Sequence, residues 1–386
     1  MYNVLTLNKI ADCGIEKLGA NYAIYDNCEN PDGIILRSFS MHEMELPASL
    51  KCVARAGAGV NNIPIDACTE KGIVVFNTPG ANANGVKELV ILGLLIGSRK
   101  VIDGIEWAKT LSGKGAEVGK LVEKGKGAYV GPEIMGKTLG VIGLGAIGAM
   151  VANTAIALGM KVIGYDPYLT VDSAWRLSSS IVHANSIDEI YAESDYITLH
   201  IPATETTTGM INSETIAKMK DGVRILNFAR GTLVNDAHLA TALESGKVAR
   251  YVTDFPNDAV LSMENVVAIP HLGASTPESE DNCAVMAAIE LKDYLENGNI
   301  KNSVNFPNCE LPRNGARITV AHKNIPSMLA NLSKIVSDNG MNIENMLNKS
   351  KKENAYTIMD IEGAANDAVI DAILAVDGVY SARLIK

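Results

Sequence analysis

The chain is short of basic charge: 34 Lys and Arg stand against 44 Asp and Glu, a formal net charge of −10 over 386 residues. That balance argues against a nucleic-acid partner, which leaves a basic footprint. The cysteines, at 13, 28, 52, 68, 283 and 309, lack C-x-x-C spacing, and no His/Cys cluster has the spacing of a zinc site. They are expected to be reduced thiols of a cytoplasmic protein, and no metal is expected. The N-terminus, MYNVLTLNKIADCG, has neither a basic stretch nor a long apolar run, so no secretory signal is expected. Residues 138–160 are uncharged and long enough to span a membrane, but four glycines fall in the first eleven of them. Those glycines oppose one continuous helix, and no membrane partner is expected. What remains is a globular composition, 47% hydrophobic and 20% charged, in a chain long enough for two or three domains.

The most informative stretch is GKTLGVIGLGAIGAMVANTAIALGMKVIGYD, residues 136–166. Leu139–Ile142 is an apolar run of strand length, and Gly143-Leu144-Gly145-Ala146-Ile147-Gly148 gives G-x-G-x-x-G where a strand should turn into a helix. The glycines serve a tight turn, close approach of backbone to a pyrophosphate, and close helix–strand packing. The helix N-terminus would face the phosphates. Lys161–Tyr165 reads as the next strand, and Asp166 follows 18 residues after Gly148, near the spacing of the acid that binds a ribose 2′-OH. An acid there repels a 2′-phosphate, so NAD is expected rather than NADP.

Residues 1–76 alternate short apolar runs with turn signals, at Asn3–Leu7, Ala23–Tyr25, Gly33–Leu36, Lys51–Ala56 and Ile73–Phe76. This predicts an open parallel α/β sheet. Residues 55–62, RAGAGVNN, follow a strand end, where such sheets bind ligands; a tight structural turn is the competing reading. Residues 84–99 form an apolar helix taken to cross between domains, and Ser112–Lys126 a polar helix and loop. Strands are predicted at Tyr196–Ile201, Arg224–Phe228, Tyr251–Thr253 and Val266–Ile269, with a helix from Thr276 to Leu295 that crosses back. A Pro- and Asn-containing linker near 307–315 precedes a β-α-β-β-α-β order, a ferredoxin-like α+β domain. The expected division is 1–94 with 274–306 as a substrate domain, 95–273 as a dinucleotide domain, and 315–386 as a regulatory domain. Both larger domains are expected to be doubly wound parallel sheets.

Hydride chemistry beside a nicotinamide calls for a proton donor and a cationic clamp. Arg230, in NFARG, follows a strand, as do His271, in PHLG, and His200. Position alone does not choose between the two histidines. Asp254 and Asp258 are both candidate anionic partners from the preceding loop.

In its motifs the chain resembles the D-isomer-specific 2-hydroxyacid dehydrogenases, in particular members that act on 3-phosphoglycerate and carry a C-terminal ACT domain. DGIILRS (32–38), RAGAGVNN (55–62), GIVVFNTPGAN (72–82), the glycine-rich turn, NFARG (227–231) and PHLGAST (270–276) occur in that family's order. The resemblance implies oxidation of 3-phospho-D-glycerate to 3-phosphohydroxypyruvate, the opening step of serine biosynthesis. Other readings are reduction of hydroxypyruvate or glyoxylate, and an NAD-sensing binding protein without catalysis. Arg230 is implied as substrate clamp and His271 as proton donor, with Arg37, Arg55 and Asn77 on the substrate. Cofactor contacts are implied from Thr78, Gly143, Gly145, Ala146, Ile147, Gly148, Asp166, Ile201, Pro202, Phe228, Ala229, Arg230, Asp254, Gly273 and Ala274. Where the family has D-V-F-x-x-E-P, this chain reads Thr253-Asp254-Phe255-Pro256-Asn257-Asp258-Ala259. Aligning the phenylalanine puts Asp258 in place of the glutamate that partners His271; a one-residue shift lets Asp254 take the family aspartate's role. Residues 321–329, AHKNIPSML, resemble the ACT motif H-x-N-x-P-G-x-L. The resemblance implies His322, Asn324 and Asn342 as a regulatory site for serine, in a homo-oligomer. Ser327 stands where that motif has glycine, and a domain that only joins subunits is the competing reading.

Overall fold

Consecutive aliphatic residues favour strands covered on both faces, and in a computed structural model, which describes residues 1–363 and 367–386, they form three sheets. In the first, β1 (Tyr2–Thr6), β2 (Tyr22–Tyr25), β3 (Gly33–Leu36), β4 (Cys52–Arg55) and β5 (Val74–Asn77) pair in parallel, in the order β2-β1-β3-β4-β5. All four residues of β3 are buried. The second sheet comprises β6 (Thr138–Ile142), β7 (Lys161–Tyr165), β8 (Val182–His183), β9 (Tyr196–Leu199), β10 (Val223–Asn227), β11 (Val248–Thr253) and β12 (Val266–Ala268). Its order, β12-β11-β10-β9-β6-β7-β8, is parallel throughout. Strand order reverses between β6 and β9, and at such a switch point ligands bind outside the carboxyl ends of the strands. The third sheet is antiparallel: β13 (Ala316–Lys323), β14 (Asn342–Lys351), β15 (Asn354–Glu362) and β16 (Val379–Ile385) in the order β14-β15-β13-β16. Its β-α-β-β-α-β order is the one expected. The two-residue strand β8 was not predicted; both its residues are exposed, so no apolar run marks it.

The chain divides into two compact units, Met1–Asn82 with Pro277–Lys386, and Ala83–Thr276. This differs from a break at 94/95. The helix Ala83–Ser98 packs on β10, β11 and the helix Ala146–Ala157, closely enough that a Cβ on Gly93 would lie 2.8 Å from the Phe228 ring. It therefore stays whole within the second unit. The helix Pro277–Asn297 packs on β3, β4 and β5 of the first unit.

The C-terminal sheet groups with the first unit because they share a core, in which Ala321, Tyr356 and Ile358 join Phe76, Tyr294 and Phe306. Arg317 and Asp360, both fully buried, form a two-pronged ion pair at 2.6 and 3.1 Å. The remaining Arg317 nitrogen donates to the carbonyls of Asn297 and Leu311 at 2.8 and 2.9 Å. Arg383 lies over the Tyr294 ring and donates to the Leu295 carbonyl at 2.8 Å. Arg317 of the sheet thus ties down the linker at Leu311, and Arg383 holds the helix that precedes the linker. Among the described residues no helix is long and apolar enough to cross a membrane.

Candidate functional site

The end of β6 turns sharply at Gly143, whose φ is +91°. A Cβ there would lie 2.5 Å from the His200 carbonyl oxygen, and one on Gly148 would lie 1.9 Å from that of Gly143. A Cβ on Gly145 would meet nothing within 4 Å, so this is the open face where a pyrophosphate can approach the backbone. Ala146, Ile147 and Gly148 begin the helix Ala146–Ala157, whose first N–H groups favour an anion. Asp166 follows β7; its carboxylate accepts from the Leu144 N–H and the Tyr168 N–H, each at 2.9 Å. It thereby fixes the turn as well as offering an acceptor to a ribose hydroxyl.

His200, Ile201 and Pro202 follow β9 beside this turn. His200 Nε2 lies 3.0 Å from Thr198 Oγ1. Desolvation pushes the His200 imidazole down to about 4, so at neutral pH it is an uncharged prop under the turn. His271 has a side chain 60% exposed. That difference in environment separates two histidines which the strand pattern left equivalent.

Neighbouring strands β10, β11 and β12 end in the remaining candidates of this unit. Phe228, Ala229 and Arg230 follow β10, and Asn227 holds their turn: its buried amide donates to the Arg230 carbonyl at 2.9 Å and to the Tyr251 hydroxyl at 3.1 Å. The Arg230 guanidinium is exposed and donates to the Ala229 carbonyl at 2.7 Å. Asp254 follows β11, and His271, Gly273 and Ala274 follow β12. Thr253 Oγ1 donates to the Asn227 carbonyl at 2.9 Å and accepts from the Phe255 N–H at 3.1 Å. This locks the loop that presents Asp254.

The carboxylate facing His271 is Asp254, not Asp258. Asp254 Oδ2 lies 3.1 Å from His271 Nδ1, and the Phe255 and His271 rings are 4.7 Å apart. Asp258 opens the short helix Asp258–Leu261, which Asn257 caps by accepting from the Val260 N–H at 2.8 Å. Among the described residues no ion pair or hydrogen bond joins Asp258 to His271. Capping turns the chain into a helix immediately after Asn257, and the preceding residues Asp254 and Phe255 are the ones held against the imidazole. Asp254 is 1% exposed, and burial raises its pKa while the adjacent His271 opposes the rise. Its other oxygen, Oδ1, is buried without a hydrogen-bond partner among the described residues. A carboxamide N–H is a donor of the kind that would satisfy it, and with the open glycine turn and Asp166 these residues fit a nicotinamide dinucleotide.

In the first unit, Arg37 follows β3, Arg55 and Asn77 end β4 and β5, and Thr78 follows Asn77. Asn8 Oδ1 accepts from the N–H groups of Arg37, Ser38 and Phe39 at 3.0, 3.0 and 2.9 Å, which fixes the turn carrying Arg37. Arg55 Nε donates to the Arg37 carbonyl at 3.0 Å. A Cβ on Gly57, where φ is +156°, would lie 2.6 Å from Arg55 Nη1. Asn77 donates to the Ala58 carbonyl at 2.6 Å, and the Thr78 N–H to that of Gly57 at 3.1 Å. Residues 55–58 are therefore a braced turn that sets the Arg55 side chain against the backbone of Arg37.

At the C-terminal sheet, His322 is 2% exposed, with Nδ1 at 2.8 Å from the Lys323 carbonyl and Nε2 at 2.8 Å from Thr357 Oγ1. Both ring nitrogens are engaged within the protein, and burial lowers its pKa. Asn324 donates to the Lys352 carbonyl at 3.2 Å, and Asn342 is exposed at the start of β14. Asn8 was not singled out from sequence, and Asn227 and Thr253 stood only as members of their motifs. Asn8 acts on residues 29 to 31 positions away and leaves no local signal.

The profile of the D-isomer specific 2-hydroxyacid dehydrogenase, NAD binding domain, matches residues 104–273. A hydroxypyruvate reductase of Thermotoga maritima is 43% identical over 246 residues, 61% of this chain and 75% of that protein. A D-3-phosphoglycerate dehydrogenase of Synechocystis is 34% identical over 310 residues, 78% of this chain and 53% of that one. The chain spans about half the length of several curated D-3-phosphoglycerate dehydrogenases it matches. Among solved structures, an NAD+-bound 3-phosphoglycerate dehydrogenase of Entamoeba histolytica aligns with a TM-score of 0.60 and 28% identity, covering 79% of this chain and 98% of that one. With the strand order, the open glycine turn and Asp166 in place, these likenesses show that the chain belongs to the D-isomer-specific 2-hydroxyacid dehydrogenase family and carries its NAD-binding domain.

Proposed function

We propose that the chain oxidises 3-phospho-D-glycerate to 3-phosphohydroxypyruvate with NAD, the reaction that opens serine biosynthesis. The observation that carries this reading is that Arg230 and the Asp254–His271 pair stand at neighbouring strand ends of the sheet that carries the glycine-rich turn. NAD, when bound, supplies the hydride acceptor. Arg230 clamps the substrate carboxylate, for which a guanidinium has matching bidentate geometry. His271 Nε2 takes the proton of the 2-hydroxyl as the carbonyl forms, and returns it in the reverse direction. Asp254 holds the ring through Nδ1, which leaves Nε2 for substrate. Arg37 and Arg55 bind the phosphate, and Asp166 disfavours a cofactor with a 2′-phosphate. The C-terminal sheet acts as an ACT regulatory domain of a homo-oligomer, with serine as effector near Asn324 and Asn342.

The 43% identity to a hydroxypyruvate reductase favours a second reading, reduction of hydroxypyruvate or glyoxylate. Initial rates with NAD and 3-phosphoglycerate, glycerate or lactate, and with NADH and each 2-oxoacid, separate the two. A kcat/KM for 3-phosphoglycerate at least tenfold above that for glycerate is expected. Equal values for the two would leave the reductase reading, and no turnover of any substrate would leave a binding protein.

A further inference from the structure

Arg37 is not free in the folded chain. Its Nη2 lies 2.7 Å from Glu280 Oε1, and the two side chains are 43% and 45% exposed. Glu280 sits in the first turn of the 21-residue helix Pro277–Asn297, where a negative charge is favoured by the helix dipole. Its carboxylate therefore offers Arg37 an anionic oxygen of the kind a phosphate would bring. Arg55 is held differently: Nε is used by the Arg37 carbonyl, and among the described residues no carboxylate pairs with its guanidinium. The two arginines are thus unequal, one engaged by an internal anion and the other not.

We infer that Glu280 sets the chain's preference for phosphorylated over unphosphorylated substrates by competing with the substrate phosphate for Arg37. This rests on the reading of Arg37 as a phosphate ligand. A phosphate that takes Arg37 must displace a carboxylate and then sit close to it, so part of the attraction is cancelled by like charge. A substrate without the phosphate has no use for Arg37 and leaves the pair closed. Glu280 thereby lowers the affinity for a phosphorylated substrate and leaves that for an unphosphorylated one unchanged. A half-exposed ion pair is a modest competitor, so the effect on KM is about two- to fivefold. It shrinks as added salt screens both charges.

The test compares wild type, Glu280→Gln, Arg37→Ala and the double variant, with NAD saturating and with 3-phosphoglycerate and glycerate as substrates. Glu280→Gln is expected to lower KM for 3-phosphoglycerate about two- to fivefold, with kcat and the KM for glycerate unchanged. In the Arg37→Ala background the same substitution is expected to have a smaller effect, since the pair no longer exists and only the like-charge repulsion remains. Glu280→Asp keeps the charge but withdraws it, and is expected to fall between wild type and Glu280→Gln. Three results overturn the inference: an unchanged KM for 3-phosphoglycerate, a raised one, or an equal shift for both substrates. If Arg37→Ala leaves the preference for 3-phosphoglycerate intact, the phosphate reading of Arg37 fails, and the inference with it. If Arg37→Ala removes that preference while Glu280→Gln changes nothing, only the competition fails.

Discussion

Asp254 Oδ2 lies 3.1 Å from His271 Nδ1, and Asp254 is almost wholly buried where the imidazole is exposed. A buried acceptor under an exposed ring fixes which nitrogen faces outward. Replacing it with Asn should leave the ring near its place but remove the charge that holds Nδ1 and orients Nε2 outward. Asp254→Asn is expected to lower kcat at least tenfold with KM for the substrate little changed. Asp258→Asn is expected to leave kcat where it is. The reverse outcome would show that the loop pairs differently in the working enzyme.

Asp166 accepts from the backbone of Leu144 and Tyr168, so it serves the turn in addition to the proposed contact with the ribose. Asp166→Ala should weaken NAD more than loss of a ribose contact alone, because the glycine-rich turn is loosened too. NADP should become usable as the repulsion is removed. Fluorescence titration with NADH and NADPH measures both. Wild-type protein that binds the two equally would contradict the role given to Asp166.

Glu290 provides the pH test. It is 5% exposed; Oε1 accepts from Asn302 at 2.6 Å, and Oε2 has no hydrogen-bond partner among the described residues. Burial pushes its carboxyl up to about 8 from an ordinary 4.5. Between those values the folded chain holds a proton that the unfolded chain has lost, so its contribution to stability is full below the lower value and falls as pH rises to the upper one. Glu290→Gln, which cannot ionise, should flatten the decline in urea midpoint between pH 5 and pH 8. An unchanged slope would mean that Glu290 is ionised in the folded protein.

Ser327 has φ +64° at the start of the helix Met328–Asp338. A side chain in that region costs about 1–2 kcal/mol, and glycine loses more entropy on folding, about 0.5–1 kcal/mol. Ser327→Gly should therefore stabilise the protein by roughly 0.5–1 kcal/mol net, read from chemical unfolding. A destabilised variant would mean that the serine side chain makes up the strain in another way.

The sequence by itself determined the sheets apart from the exposed strand β8, the glycine turn and the set of chemical groups at the strand ends. Apolar runs, glycines and the spacing from Gly148 to Asp166 act over short stretches of chain, and the physics they report is local. It did not determine which histidine is exposed, because His200 and His271 both follow strands and differ only in what packs around them. Nor did it determine which aspartate meets His271, since that depends on where Asn257 starts a helix and how Thr253 pins the loop to Asn227. The domain edge at Ala83 was hidden for the same reason: the contact of Gly93 with Phe228 joins residues far apart in sequence. Tertiary structure alone also brought Glu280 to Arg37, 243 positions away. Long-range pairs of this kind leave no periodic trace, because each is decided by how two finished elements pack and not by the residues beside it.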